Sequence, residues 1–208
     1  MAGKEVVTIG GILLAAGGSS RLGRPKQLVE FEGTTLLRRA AEALSASGCR
    51  PAVAVLGAES ESSVSQFEGL AVLPIVNHQW ASGMSSSIVL GIAALLDAEP
   101  ALSAVMITLC DQPFVTTEII SRFLLKYRSL SISDISRTSI IAARYNGVLG
   151  VPSLFSSPVF EELKQLTGDK GARSLIRNAD PDTVKFIDVP EAALDIDSPE
   201  DLRRLSTY

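Results

Sequence analysis

The 208 residues carry a formal net charge of −4 and 46% hydrophobic composition, which suits one domain, 1–208, with a sizeable core. That charge balance leaves no basic stripe to displace counterions along a nucleic acid, so small molecules or proteins are the expected partners. The two cysteines, Cys49 and Cys110, have no metal-ligand spacing and make no disulfide framework, which fits a reducing cytoplasm.

From the start of the chain, Met1–Glu5 carries a charge pair, and the apolar run behind it is broken by Thr8, Gly10 and Gly11. Nothing approaches the ~20 uninterrupted apolar residues of a membrane span, and no signal peptide is expected. Val6–Leu14 is apolar and rich in β-branched residues, the pattern of a strand buried on both faces that stops near Ala16. Gly17, Gly18, Ser19, Ser20 and Gly23 then make a loop whose amide groups can turn toward one point, since glycine tolerates φ > 0 and carries no Cβ. Arg21 and Lys26 add two cations, and Pro25 stiffens the approach to Lys26. Amide donors beside a guanidinium and an ammonium suit a polyanion such as a triphosphate; a glycine-rich turn with two solvated cations is the plainer reading. Gly18 to Gly23 satisfies the opening of a P-loop, but Arg24-Pro25 stands where Lys-Ser/Thr should follow. The loop also lacks G-x-G-x-x-G, so a kinase-like P-loop and a dinucleotide fold are both disfavoured.

Gln27–Phe31 reads as a short extended piece and Glu32-Gly33 as a turn. A helix capped by Thr34 or Thr35 follows, with Leu37, Ala40, Ala41 and Leu44 on its apolar face and Gly48 as its stop. Pro51–Leu56 predicts a second buried strand, Glu59–Phe67 a short helix and Ala71–Val76 a third strand. This alternation predicts a layered α/β domain. Asn77 to Ser87 connects that strand to a helix carrying Ile88, Ile92, Leu95 and Leu96. A polar strand-to-helix connection is well placed for binding, because ligands of open α/β sheets sit beyond the carboxyl ends of strands. Serine hydroxyls and first-turn amides there can read a base or ribose. His78, the single histidine, is assigned a structural or lining role. Trp80 and Met84 suit packing or lining equally.

Ser103–Leu109 predicts a fourth buried strand that delivers Cys110-Asp111-Gln112-Pro113 at its end. A carboxylate at that edge can hold Mg²⁺ against phosphates, because hard cations prefer carboxylate oxygens. The alternative is an Asp that caps the next turn. Cys110 reads as a small buried residue. A helix follows over Thr117–Tyr127, then a serine-rich surface excursion over Ser129–Ser139, a strand over Ser139–Tyr145, a turn at Asn146-Gly147 and an extended piece over Gly150–Phe155. Another helix begins with Val159, Leu163 and Leu166, and Gly168–Arg173 reads as a turn in which Lys170 or Arg173 meets either solvent or an acceptor phosphate. After a last strand, Thr183–Val189, Ser198 as N-cap, Pro199 at N1 and Asp201 at N3 start a helix. Asp195 and Asp197 share a face of the preceding extended segment, so either can reach the metal of Asp111.

Several of these stretches together resemble one family. Leu14-Ala15-Ala16-Gly17 through Ser19, Arg21, Gly23 and Lys26 resembles the nucleotide-binding motif of the nucleotidyltransferases that act on the molybdenum cofactor, within the sugar and alditol nucleotidyltransferase superfamily. Asn77, Trp80, Gly83, Met84 and Ser87 are similar to the family's N-x-x-W-x-x-G-M-x-x-S, and Leu109–Pro113 to its L-x-D-Q-P. Gly150–Phe155, Gly168–Arg173 and the Asp195–Asp201 run also resemble family elements. The resemblance spans roughly residues 10 to 205 and implies a three-layer, Rossmann-like fold with a mostly parallel, mixed central sheet. It implies a nucleotide site of Leu14, Ala15, Ala16, Gly17, Gly18, Ser19, Arg21, Lys26, Asn77, Gly83, Ser85 and Ser87. Arg21, Lys26 and Asp111 are the implied catalytic residues and Asp111 with Asp197 the implied Mg²⁺ ligands. Leu14–Gly17 is closer to the cytidylyltransferase branch, which implies CTP as donor and molybdopterin as acceptor, with transient docking on a molybdoenzyme. GTP, another nucleotide, or a sugar or alditol phosphate is the enzymatic alternative, and a non-catalytic delivery protein for a molybdoenzyme is the alternative of another class.

Overall fold

Strand β1, Ile9–Ala15, is buried along its whole length, as its uninterrupted apolar run requires. Its side chains alternate between two cores: Ile9, Leu13 and Ala15 enter one, Ile12 and Leu14 the other. This period of two means that the strand is covered on both faces. The computed structural model describes residues 7–19, 21–58 and 60–205; Val6, Ser20 and Glu59, assigned above to a strand, a loop and a helix, lie outside them.

The other strands are β2 (Glu30–Phe31), β3 (Thr34–Thr35), β4 (Ala52–Leu56), β5 (Leu73–Val76), β6 (Ala104–Leu109), β7 (Ile140–Tyr145), β8 (Val148–Ser156) and β9 (Val184–Asp188). Helices are α1 (Leu36–Ala46), α2 (Ser60–Ser63), α3 (Met84–Ala98), α4 (Thr117–Arg128), α5 (Ile132–Ile135), α6 (Phe160–Lys164), α7 (Ala172–Asn178) and α8 (Pro199–Leu205). Seven strands form one sheet in the order β5-β4-β1-β6-β8-β7-β9. β8 runs antiparallel to both its neighbours, while β4, β1, β6 and β5 are mutually parallel and β7 is parallel to β9. The mostly parallel, mixed α/β sheet expected from sequence is therefore present. α1 and α4 cover one face through Leu37, Leu44, Phe123 and Tyr127. α3, α6 and α7 cover the other through Ile88, Ile92, Leu163 and Ile176. Each such fully buried aliphatic chain contributes about 2 kcal/mol to the driving force.

The chain proceeds from β1 to β4 and β5 on one side, then crosses to β6 on the other side of β1. The order thus reverses between β1 and β6, and a crevice opens beyond their carboxyl ends. A third, smaller core of Leu22, Val29, Leu36, Ile196 and Leu205 ties the loop after β1 to the C-terminal segment. That cluster brings two sequence-distant parts of the site together.

Several element boundaries differ from the sequence reading. Lys26–Leu28 is a 3-10 turn and only Glu30–Phe31 of the expected extended piece is strand, because the Gln27 side chain turns inward to bind backbone carbonyls. The helix expected over 59–67 divides into α2 and a 3-10 turn, Val64–Phe67. The excursion over 129–139 contains α5. Arg173, read as part of a turn, lies in the first turn of α7, a helix absent from the sequence reading. At α8, Ser198 N–H donates to Asp201 Oδ2 at 2.8 Å and Asp201 N–H to Ser198 Oγ at 3.3 Å. This is the reciprocal cap that their spacing predicts.

Candidate active site

The loop after β1 is held from beneath. Gln27, almost fully buried, donates through Nε2 to the carbonyls of Ala15 at 3.0 Å and Gly17 at 2.7 Å. Ser19 accepts from Lys26 N–H at 2.9 Å and adopts φ 51, a left-handed conformation that its own short polar contacts stabilise. At Gly18 an added Cβ would sit 3.0 Å from the Trp80 ring, so the missing side chain lets Trp80 lie against the loop. Gly57, after β4, has the same role toward the Ala16 backbone, where a Cβ would collide.

Beyond the carboxyl end of β6, Asp111 is paired with Lys26 Nζ, and the same ammonium donates to Asp197 Oδ1 at 2.9 Å. Asp197 also accepts from Arg21 at 3.0 Å. The backbone places Asp197 there: Ile196, fully buried in the third core, donates its N–H to the Asp111 carbonyl at 2.9 Å. The Arg21 pair is solvent-exposed and contributes little stability. The Lys26–Asp111 pair is largely buried, so its Coulomb term is screened less. Burial pulls the Lys26 ammonium down, but the charge of Asp111 and hydrogen bonds to Asp111 and Asp197 outweigh it and hold Lys26 above its ordinary value. Burial, then the charge of Asp111, pushes the neighbouring Cys110 thiol up to about 12. The same two causes raise Asp195.

Two cavities meet at this pair. One, of about 340 Å³, is lined by residues that include Leu14–Gly18, Lys26, Trp80, Gly83, Ser87, Asp111 and Asp169. Its neighbour, of about 410 Å³, is lined among others by Arg21, Lys26, Asp111, Arg173, Asp195 and Asp197. Of the residues proposed from sequence, Leu14, Ala15, Ala16, Gly17, Gly18, Arg21, Lys26, Gly83, Ser87, Asp111 and Asp197 line one or both. Ser19, Asn77 and Ser85 line neither. The Asn77 amide is engaged by Ser86 and Ser87, at 2.8 and 3.0 Å, and Ser85 Oγ donates to the Gly168 carbonyl at 2.6 Å. These side chains brace the wall. His78 lines a separate groove beside Lys164.

Sequence reasoning missed Gln27, whose anchoring role has no local signal, and Asp169, which lies within Gly168–Arg173 and lines both cavities. Gly83 explains where Asp169 sits. At φ 114 and with no room for a Cβ against Gly168, it lets the 168–171 loop dock on the start of α3.

The carboxylates of Asp111 and Asp197 converge on one cation, the Lys26 ammonium, and Asp111 Oδ1 is buried without a partner. Such oxygen donors fit a divalent metal ion. No cluster of three or more potential metal-binding side chains exists among the described residues, so phosphate oxygens and water would complete the coordination, as magnesium ions favour. Among the same residues no helix is long and apolar enough to cross a membrane.

The model of the MobA-like NTP transferase domain matches residues 11–184. The nicotine blue oxidoreductase of Paenarthrobacter nicotinovorans is 33% identical over 211 residues, covering 99% of this chain and 100% of that protein. The crystal structure of Rv0371c from Mycobacterium tuberculosis H37Rv superposes with a TM-score of 0.79 at 29% identity, over 97% of this chain and 99% of that one. Its complex with manganese gives 0.73 at 27% identity, over 96% and 98%. Molybdopterin-guanine dinucleotide biosynthesis protein A from Archaeoglobus fulgidus shares the fold, with a TM-score of 0.67 at 17% identity over 95% and 96%. The chain therefore belongs to the MobA-like NTP transferase domain family and is a nucleotidyltransferase.

Proposed function

We propose that this enzyme transfers CMP from CTP to the terminal phosphate of molybdopterin with Mg²⁺, releasing pyrophosphate. The observation that carries the reading is the convergence of Lys26, Asp111 and Asp197 beneath the glycine loop. No protein nucleophile is required. A phosphate monoester has a second pKa near 6, so at neutral pH the acceptor is itself the nucleophile and needs no general base. The protein's work is then positioning and charge stabilisation.

In this mechanism the amides of Gly17 and Gly18 hold the triphosphate, and Trp80, Gly83 and Ser87 bound the nucleoside side of the cavity. Asp111 and Asp197 would hold Mg²⁺, which when bound neutralises charge on the reacting phosphates. Lys26 and Arg21 stabilise the negative charge that accumulates on pyrophosphate as the α-phosphate bond breaks. The buried Cys110 thiol takes no part, since its raised pKa keeps it protonated. Direct displacement inverts the α-phosphorus; retention with a chiral α-thiotriphosphate would require a covalent enzyme intermediate. Support for CTP is the Leu14-Ala15-Ala16-Gly17 run, and support for molybdopterin is the relatedness to cofactor-acting transferases. A screen of four nucleoside triphosphates against molybdopterin, read as pyrophosphate, tests both; CTP is the expected donor.

A second reading follows from the relative named nicotine blue oxidoreductase, 33% identical over its whole length: oxidation or reduction of nicotine blue. It predicts bleaching of nicotine blue with no pyrophosphate formed. The loop's lack of a dinucleotide fingerprint favours the transferase.

A further inference from the structure

A third cavity, of about 540 Å³, lies between α7 and strands β8 and β9 and is apolar for most of its lining. Val148, Leu149, Ile176 and Phe186 form its walls, with Arg173 and Arg177 on α7. Val148, at the start of β8, and Phe186, on the edge strand β9, are about half exposed, large apolar groups left uncovered. One face of the Phe186 ring carries the Arg144 guanidinium at 3.9 Å from its centroid. That stacking fixes the ring as a wall for the groove.

This groove adjoins the catalytic cleft through two elements. Arg173 lines both; its guanidinium donates to Tyr145 Oη at 2.9 Å, and Gly150 leaves the space in which that pair meets. Along β8, Leu149 lines the groove and Val151, two residues on and about 7 Å away, lines the cleft. On α7, Arg173 and Arg177 are four residues apart and so share a face. Arg177 has no acidic partner among the described residues.

From this arrangement we infer that the groove is the binding site for the ring body of the acceptor: a flat, conjugated ring system whose faces stack on apolar side chains and which bears an anionic substituent. The ring lies against Phe186, Val148 and Leu149, where burying it removes apolar surface from water. Arg177 and Arg173 meet the anionic arm in sequence, and Arg173 hands that arm into the cleft toward Lys26 and Asp111. Two guanidinium groups on an otherwise apolar wall select an anion over a neutral ring. Sugar phosphates, which lack a conjugated ring, leave this groove empty. The inference rests on the transferase reading for the identity of the reaction, and on the groove alone for the class of ligand.

The test uses pterin-6-carboxylate, a fluorescent, flat and anionic ring, titrated into the full-length protein, with CTP binding measured separately at the single tryptophan, Trp80. Phe186→Asp and Arg177→Glu change exposed residues and are expected to leave thermal unfolding close to wild type. Each is expected to weaken pterin-6-carboxylate binding at least tenfold while CTP binding stays within twofold, and to raise KM for molybdopterin with KM for CTP unchanged. Wild-type affinity in both variants, or no binding to the wild-type protein at millimolar probe, overturns the proposal. So does a wild-type dimer, seen by sedimentation, that Phe186→Asp dissociates. Probe binding that follows the groove variants, in a protein that releases no pyrophosphate, would refute the transferase reading and leave the groove assignment standing.

Discussion

Lys26 Nζ lies 2.9 Å from Asp197 Oδ1 although 171 positions separate the two residues, and the same ammonium pairs with Asp111. One protein cation thus stands where two carboxylates converge. Removing it leaves largely buried charge uncompensated, which costs about 3 kcal/mol, and it removes the competitor of a metal ion for the same oxygens. Lys26→Met is therefore expected to lower Tm, to bind Mn²⁺ more tightly than wild type without nucleotide, and to gain more Tm from Mn²⁺. Turnover should nonetheless fall by about 10²–10³, the scale of losing one transition-state donor. Calorimetric Mn²⁺ titration and thermal melts check this; a variant that binds Mn²⁺ more weakly than wild type would separate Lys26 from the metal site.

Gly83 combines φ 114 with a backbone contact to Gly168 that leaves no space for a Cβ. Gly83→Ala is expected to destabilise the fold by about 1–3 kcal/mol and to release the 168–171 loop from α3. Faster amide exchange over that loop and weaker CTP binding are the readouts. Unchanged exchange would show that the contact is not what holds Asp169 at the cavity.

The strands were legible in the sequence because a strand covered on both faces must be apolar nearly throughout, as β1 and β4 are and as β6 is apart from Thr108. Asp111 was legible too, since a polar residue two positions past the end of such a strand stands at the sheet's carboxyl edge. Gln27 was not. Its burial depends on the carbonyls of Ala15 and Gly17 needing a donor, a requirement that exists only once the loop is folded. The meeting of Lys26 with both carboxylates was likewise hidden, because it depends on Ile196 being buried with Leu22 and Val29. Helix α7 escaped notice because Gly168 and Gly171 punctuate the stretch before it as a turn.

Asp201 receives hydrogen bonds from Ser198, and these hold its carboxyl below the usual carboxylate range. A depressed folded value means that the stabilisation is present above the unfolded value of about 3.9 and is lost as pH falls through the folded one. Asp201→Asn should therefore narrow the stability difference from wild type as pH drops below about 4. Ser198→Ala should cost about 1 kcal/mol at neutral pH. Denaturant melts across pH check both; a gap between Asp201→Asn and wild type that widens on acidification would contradict the assignment.

Burial pushes the Cys49 thiol up to about 11, and burial together with the charge of Asp111 pushes Cys110 up to about 12. Neither thiol should react with a disulfide reagent at pH 8 in the folded protein, whereas both should react in denaturant. Rapid native labelling of Cys110, located by peptide mapping, would mean that the end of β6 opens to solvent.

The central claim concerns the reaction itself and is tested most directly by its products. Wild-type enzyme supplied with CTP, Mg²⁺ and molybdopterin should release one pyrophosphate for each cytidine-containing pterin conjugate formed, and Asp111→Ala, still folded, should form neither. Binding of both substrates with no pyrophosphate from the wild-type enzyme, or wild-type turnover in Asp111→Ala, would contradict it.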